Sequence, residues 1–125
     1  MFVISQSPTF KQAVYFTLLN EKGSPIKHSF TAIYKRPTVV ELEQIAKDVT
    51  LIDEATGNVK TSDLELMHNW MVGWEGVRDL DEENKEVAID FDQEAQNRLF
   101  TIATLLPAAI NAFFDGAKGA KAKNS

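Results

Sequence analysis

The sequence has no cysteine and only two histidines in 125 residues. Without cysteine the chain can form neither disulfide bonds nor thiolate metal sites, and two separate histidines cannot build a multi-histidine site. The sequence also lacks a phosphate-binding loop, a dinucleotide fingerprint and any cysteine or serine placed as an activated nucleophile. We therefore interpret His28 and His68 as structural, and we predict a protein that is not an enzyme, with no catalytic residue, no cofactor and no metal.

Basic residues are the minority among the charged ones, with 13 Lys and Arg against 18 Asp and Glu, which gives a net charge of −5. An acidic chain argues against a nucleic-acid surface spread over the whole protein. No apolar run approaches the length of a membrane span. The 44% hydrophobic and 25% charged residues are typical of one globular domain. We predict a cytoplasmic protein whose partners include neither nucleic acid nor membrane.

Two segments near the N-terminus have the pattern of β-strands, Phe10–Leu19 and Ile26–Arg36. The polar residues 20–25 between them indicate a turn, so the two strands form an antiparallel hairpin. Three apolar residues of the second strand fall on one face of it: Phe30, Ala32 and Tyr34. The preceding segment Met1–Ser7 is either a third short strand or a flexible lead-in.

Capping residues mark the starts of three helices: Thr38 with Glu41, then Thr61 or Ser62, then Asp92. We expect the second helix to carry Trp70 and Trp74 on one face and to end at a left-handed Gly76, with Val77 folded back onto Val72. The third helix has an apolar stripe formed by Ala95, Leu99, Ile102 and Leu106. Pro107 either ends that helix or opens a short last helix over Ala108–Phe114.

These elements predict an α+β fold, in which three to four helices follow the hairpin and cover one face of its sheet. We assign residues 1–115 to a single domain. The segment Gly116–Ser125, which includes three lysines, has no apolar residue larger than alanine. We predict that it is a flexible tail.

Two features admit both a structural and a functional interpretation. The acidic group Asp79, Asp81, Glu82 and Glu83 lacks the glycine of a calcium loop, so we favour a solvated turn over a cation site. Late aromatic residues usually pack in a core. Adjacent Phe113 and Phe114 cannot both point inward from one narrow helical face, although a short helix between two layers could bury both. The candidate partner-binding residues are therefore Trp70, Phe113 and Phe114.

The order of parts resembles the small tail assembly chaperones of long-tailed bacteriophages and prophages. The resemblance spans roughly residues 10–114. It rests on the following segments: Lys35-Arg36 before Thr38-Val39-Val40-Glu41, Gly73-Trp74-Glu75-Gly76-Val77-Arg78-Asp79, Phe91-Asp92-Gln93-Glu94, Leu105-Leu106-Pro107 and Ile110–Phe114. The family motif Gly-Trp-x-Gly-Val-x-Asp places its fixed positions at Gly73, Trp74, Gly76, Val77 and Asp79. One departure is the turn Leu80–Lys85, which lacks the glycine expected there.

The resemblance implies a non-catalytic chaperone that binds the tape-measure protein, assists assembly of the tail tube and is absent from the finished virion. The tail-tube protein is a further partner that it implies. Two alternatives remain open: a structural tail component of the completion or connector type that is retained in the virion, and a small enzyme of unknown chemistry.

Overall fold

A computed structural model describes residues 1–122 of the chain. The elements are β1 (Thr9–Leu19), β2 (Pro25–Lys35), α1 (Val39–Thr50), α2 (Asp63–Trp70), β3 (Met71–Glu75), β4 (Arg78–Leu80), β5 (Glu86–Ala88), α3 (Gln93–Leu99) and α4 (Leu105–Ala117). The antiparallel strands β1, β2 and β3 form one sheet in that order, and β4 pairs with β5 in a separate hairpin. The predicted α+β class is confirmed. Within residues 1–122, no helix has the length and apolar character needed to cross a membrane.

The N-terminal hairpin has the predicted strands and the predicted inward face. Its register runs from Thr9 opposite Lys35 to Leu19 opposite Pro25. The side-chain oxygen of Asn20 closes the turn by accepting hydrogen bonds from two backbone N–H groups, each at 2.9 Å. The three apolar residues predicted to share a face are all buried: Phe30, Ala32 and Tyr34. Alternation therefore identified the core face of β2 correctly.

All three predicted helix starts are confirmed by side-chain caps. The Thr38 hydroxyl accepts from the Glu41 N–H at 3.2 Å, and the Glu41 carboxylate accepts from the Thr38 N–H at 3.0 Å. Ser62 caps α2 and Asp92 caps α3, each through the N–H three residues later. These bonds satisfy amide groups that have no partner within the helix.

The predicted second helix is too long, because residues 71–75 form β3. The chain leaves the helix at Met71 and pairs with β2, so that Trp74 lies opposite Ala32 and Gly73 opposite Ile33. A strand at this position gains a ladder of backbone hydrogen bonds with β2, and Val72 and Gly73 favour a helix only weakly. The third strand of the sheet is therefore β3 and not Met1–Ser7, whose residues form no strand.

Two further predictions about this region are wrong for the same reason. Trp70 ends α2 while Trp74 lies in β3, so the two tryptophans share no helix face. Val72 sits at the irregularity in the β2–β3 register and is exposed, so it is not the residue onto which Val77 folds.

The predicted stripe of the third helix is interrupted, because α3 ends at Leu99 and α4 begins at Leu105. Pro107 cannot donate a backbone hydrogen bond, so it fits only where an N–H has no helical acceptor. Its position in the first turn of α4 meets that condition and fixes the break upstream of it. The last helix also runs beyond the predicted Ala108–Phe114 at both ends. Gly116 in its last turn packs so closely on Phe10 that an added Cβ would lie 2.5 Å from the ring.

The core lies between the sheet and the helices α2 and α4. The Tyr34 hydroxyl donates a 2.7 Å hydrogen bond to the carbonyl of Ala109 in α4. The ring of Phe113 lies 5.3 Å from that of Tyr34 and 6.3 Å from that of Phe10. The buried Gln96 side chain donates to the carbonyl of Met67 at 3.0 Å, which joins α3 to α2. These contacts place α4 across the hairpin. At the far end of the sheet, near Phe16 and His28, the neighbouring residues come instead from the part of the chain that follows β3.

Candidate binding groove

Trp74 joins the sheet to the segment that follows β5. Its indole N–H donates a 2.8 Å hydrogen bond to the carbonyl of Ile89. Its ring makes edge contacts with Phe91 at 5.0 Å and Phe30 at 6.5 Å between centroids. The residue is 9% exposed and belongs to the core. Val77 is half-buried, and its carbonyl accepts from the Ile89 N–H at 3.0 Å.

The two glycines of the motif are required for different steric reasons. Gly76 has a φ of +85°, a left-handed conformation that turns the chain from β3 into β4. The predicted conformation is thus correct, although it ends a strand and not a helix. Gly73 faces Ile33 across the sheet, where an added Cβ would lie 3.3 Å from the Ile33 Cδ1.

The hairpin of β4 and β5 was missed by the sequence analysis. The turn that lacks a glycine has Asn84 at a φ of +61°, a conformation that asparagine adopts more readily than most residues. The Asp81 carboxylate accepts from the N–H groups of Glu83 and Lys85 at 2.8 and 2.9 Å. The acidic residues of the turn itself are exposed, as a solvated turn requires. No cluster of three or more histidine, aspartate or glutamate side chains within residues 1–122 is arranged to hold a metal ion.

Asp79, the last residue of the motif, joins the hairpin to α3. Its carboxylate forms an ion pair with the guanidinium of Arg98 and accepts from the N–H of Leu80 at 2.8 Å. Two hydrogen bonds lower the pKa of the Asp79 carboxyl. The one from Arg98 has the larger effect and the one from the Leu80 N–H the smaller. The same hydrogen bond raises the pKa of Arg98.

An apolar groove runs beside the motif, between the end of the sheet and the connection from α3 to α4. It consists of two neighbouring pockets of about 350 and 270 Å³. Both pockets are lined by Val77, Arg78, Leu99 and Ile102. Trp74 and Ile89 complete the first pocket, and the second is completed by residues of the sheet end and of α4, including Phe16, Leu18, Phe30 and Leu105. We call the two together the motif groove.

The motif groove has the composition of a binding site. Apolar side chains form most of its lining, while its charged groups are Arg78 and the Arg98–Asp79 pair. His28 stands at the sheet end with its ring stacked on Phe16 at 5.5 Å. A largely apolar lining of this kind is suited to holding an apolar segment.

The three candidate partner-binding aromatics form one cluster, away from the motif groove. Phe113 lies in its centre, 5.8 Å from Trp70 and 5.4 Å from Phe114. Phe113 is fully buried and offers no surface to a partner, whereas Trp70 and Phe114 are half-buried. Trp70 forms a wall of a second cleft, between α1 and α2, of about 250 Å³, and the Lys35 ammonium lies 5.6 Å from its ring.

Sequence reasoning identified the motif but not the groove that it helps to form. Val77 and Asp79 are motif residues, while Arg78, Leu99 and Ile102 were not singled out as binding residues. Arg78 occupies a variable position of the motif, so the pattern gave no reason to select it. Ile102 was assigned to the apolar stripe of a continuous helix, and only the break after Leu99 leaves it at the surface.

The structure is that of a small α+β protein with an open apolar groove beside the motif. A comparison with family models identifies its family: residues 1–124 match the model described as phage tail assembly chaperone. The chain belongs to this family. No curated protein and no solved structure matches it.

Proposed function

We propose that the protein binds the tape-measure protein through the motif groove and assists assembly of the tail tube, without catalysis. The observation that carries this proposal is an apolar groove whose lining includes the motif residues Trp74, Val77 and Asp79. The large apolar residue Ile102 remains 37% exposed in its lining. A partner that covers the groove would remove this apolar surface from water.

A long helical partner fits the physical requirement of such a groove. An amphipathic helix that has not yet reached its enclosed final state exposes an apolar stripe, and a groove of this kind can cover part of it. The protein would act in the host cytoplasm, where the tail proteins are made, and would leave as tube subunits replace it. The tail-tube protein is the second partner that we propose.

Co-expression with the tape-measure candidate of its own genome tests the proposal. We expect the partner to become more soluble and to co-purify with the chain. Ile102→Asp introduces a charge into the groove at a partly exposed position and should reduce the co-purified amount strongly. Val40→Asp is the matched control, because Val40 is 75% exposed on α1 and lies outside the groove lining.

Three results would count against the proposal. The partner is equally soluble alone, it never co-elutes at low salt, or both aspartate variants behave alike. Mass spectrometry of purified particles addresses the alternative, because a chain retained in the virion would favour a structural tail component.

A further inference from the structure

The charged residue at the junction of the two pockets is Arg78. It lines both pockets and is exposed. Among residues 1–122 it forms no ion pair and no side-chain hydrogen bond. Arg98, the other arginine of the lining, is already bound to Asp79 and also lies near Glu94. Of the two arginines in the lining, Arg78 is therefore the one whose guanidinium can bind a ligand.

The local charge of the groove differs in sign from that of the chain. The net charge of −5 would favour a basic partner through long-range attraction. Within the lining, the one carboxylate, Asp79, is neutralised by Arg98, while Arg78 has no such counter-ion. The acidic residues 81–83 of the β4–β5 turn do not line either pocket. Direct contacts in the groove therefore favour a negative group.

We infer that the motif groove recognises an amphipathic helix that carries a carboxylate between two apolar anchors. The anchors occupy the two pockets, and Arg78 at their junction binds the carboxylate. An arginine can donate two parallel hydrogen bonds to a carboxylate, which fixes orientation as well as adding affinity. The inference rests on the proposed function, because it specifies which segments of a helical partner the same groove selects.

Two synthetic helical peptides with the same leucine stripe provide the probe. One carries glutamate beside the stripe and the other carries lysine at the same positions. Fluorescence anisotropy with the intact protein should show that the glutamate peptide binds tighter by about fivefold at low salt, as expected for a partly exposed ion pair. The ratio should approach one at high salt.

Two variants separate the groove from the net charge. Arg78→Gln should remove the preference or reverse it towards the lysine peptide. Lys22→Gln changes the net charge by the same amount in the β1–β2 turn, outside the groove lining, and should keep the preference. Thermal melts of both variants confirm that each is folded, which is expected because both side chains are exposed.

Four outcomes would overturn the inference: the lysine peptide binds wild-type protein as tightly or tighter, neither peptide binds, Arg78→Gln keeps the preference, or Lys22→Gln loses it equally. The peptide assay and the co-expression assay test the two proposals independently. A glutamate preference without co-purification of the tape-measure candidate would reject the proposed function alone. Co-purification without a glutamate preference would reject the carboxylate recognition alone.

Discussion

Two regions of the molecule begin with equally clear local signals and end with very different packing. The body comprises the three-stranded sheet with α2 and α4, and its residues Tyr34, Met67 and Phe113 are fully buried. The arm comprises α1 and the connector 51–61. Within α1 one residue, Ile45, is buried, and residues 51–60 are all exposed. A complete capping box therefore starts a helix in the arm without providing it with a core of its own.

The difference shows that local structure and global stability come from different parts of this sequence. A cap satisfies a few backbone groups and specifies where a helix begins. Most of the free energy that keeps a helix folded comes from burying an apolar face. We expect the arm to open in local fluctuations that leave the body folded.

The largest effect should follow removal of the most central side chain of the body. Phe113→Ala deletes a fully buried ring that packs against Tyr34, Trp70 and Phe114. The cavity should lower the free energy of unfolding by about 3–5 kcal/mol, measured by urea denaturation. Phe2→Ala is the control, because Phe2 is 78% exposed and its loss should be nearly neutral. Equal stability of Phe113→Ala and wild type would show that the body is not the stabilising region.

A smaller effect in the body should follow loss of one buried hydrogen bond. Tyr34→Phe removes the hydroxyl that donates to the Ala109 carbonyl, at a cost of about 1 kcal/mol at neutral pH. Tyr15→Phe should cost less. Tyr15 is half-buried in β1, on the face of the sheet opposite to that of Tyr34. Equal losses in the two variants would contradict the role of the hydrogen bond.

The same tyrosine predicts a dependence on alkaline pH. Burial raises the pKa of the Tyr34 phenol above its ordinary range, so the folded protein holds this proton when the unfolded chain releases it near pH 10. The stability linked to this proton is fully present below pH 10 and is lost as the pH rises above it. Tyr34→Phe lacks this loss, so the gap between its unfolding free energy and that of wild type should narrow above pH 10.

Removal of one cap from each region compares them directly. Thr38→Ala removes the cap of α1 and Ser62→Ala that of α2, at about 1 kcal/mol for each helix start. The Ser62 variant should shift global unfolding, because α2 carries the buried Leu66 and Met67. The Thr38 variant should instead speed hydrogen exchange within α1 and leave the global transition almost unchanged. A global shift of equal size in both variants would show that the arm unfolds together with the body.

The sequence predicted the parts of this fold that depend on neighbours in the chain. The hairpin strands follow from alternation, and the helix starts follow from Thr38, Ser62 and Asp92. The end of α2 could not be predicted in this way, because Met71–Glu75 becomes a strand only by pairing with β2, about forty residues earlier. The groove could not be predicted from local sequence either, because it is formed by residues of β1, β4 and the α3–α4 connection. What the motif did indicate was the place where these distant segments meet.

The smallest effect is expected at the exposed link between the β4–β5 hairpin and α3. Asp79→Asn removes the charge that pairs with Arg98, and the side chains of Arg98 and Asp79 are 64% and 41% exposed. Such pairs contribute little to stability, so the change should be smaller than for the Ser62 variant. The lowered pKa of Asp79 gives the effect a defined pH window. The contribution is present above the ordinary aspartate pKa near 4 and is lost as the pH falls through the lower value of the folded protein. Thermal melts at pH 7 and pH 2.5 should therefore show a small difference from wild type that is smaller at the acidic pH. Glu86→Gln, which removes an exposed charge on β5, should show no such pair-dependent difference.

A loss of stability at pH 7 as large as that of Tyr34→Phe would contradict this prediction. It would mean that the link between the β4–β5 hairpin and α3 stabilises the fold as much as a buried contact of the body does. The distinction between a stable body and a weakly held surface would then be wrong for this part of the molecule.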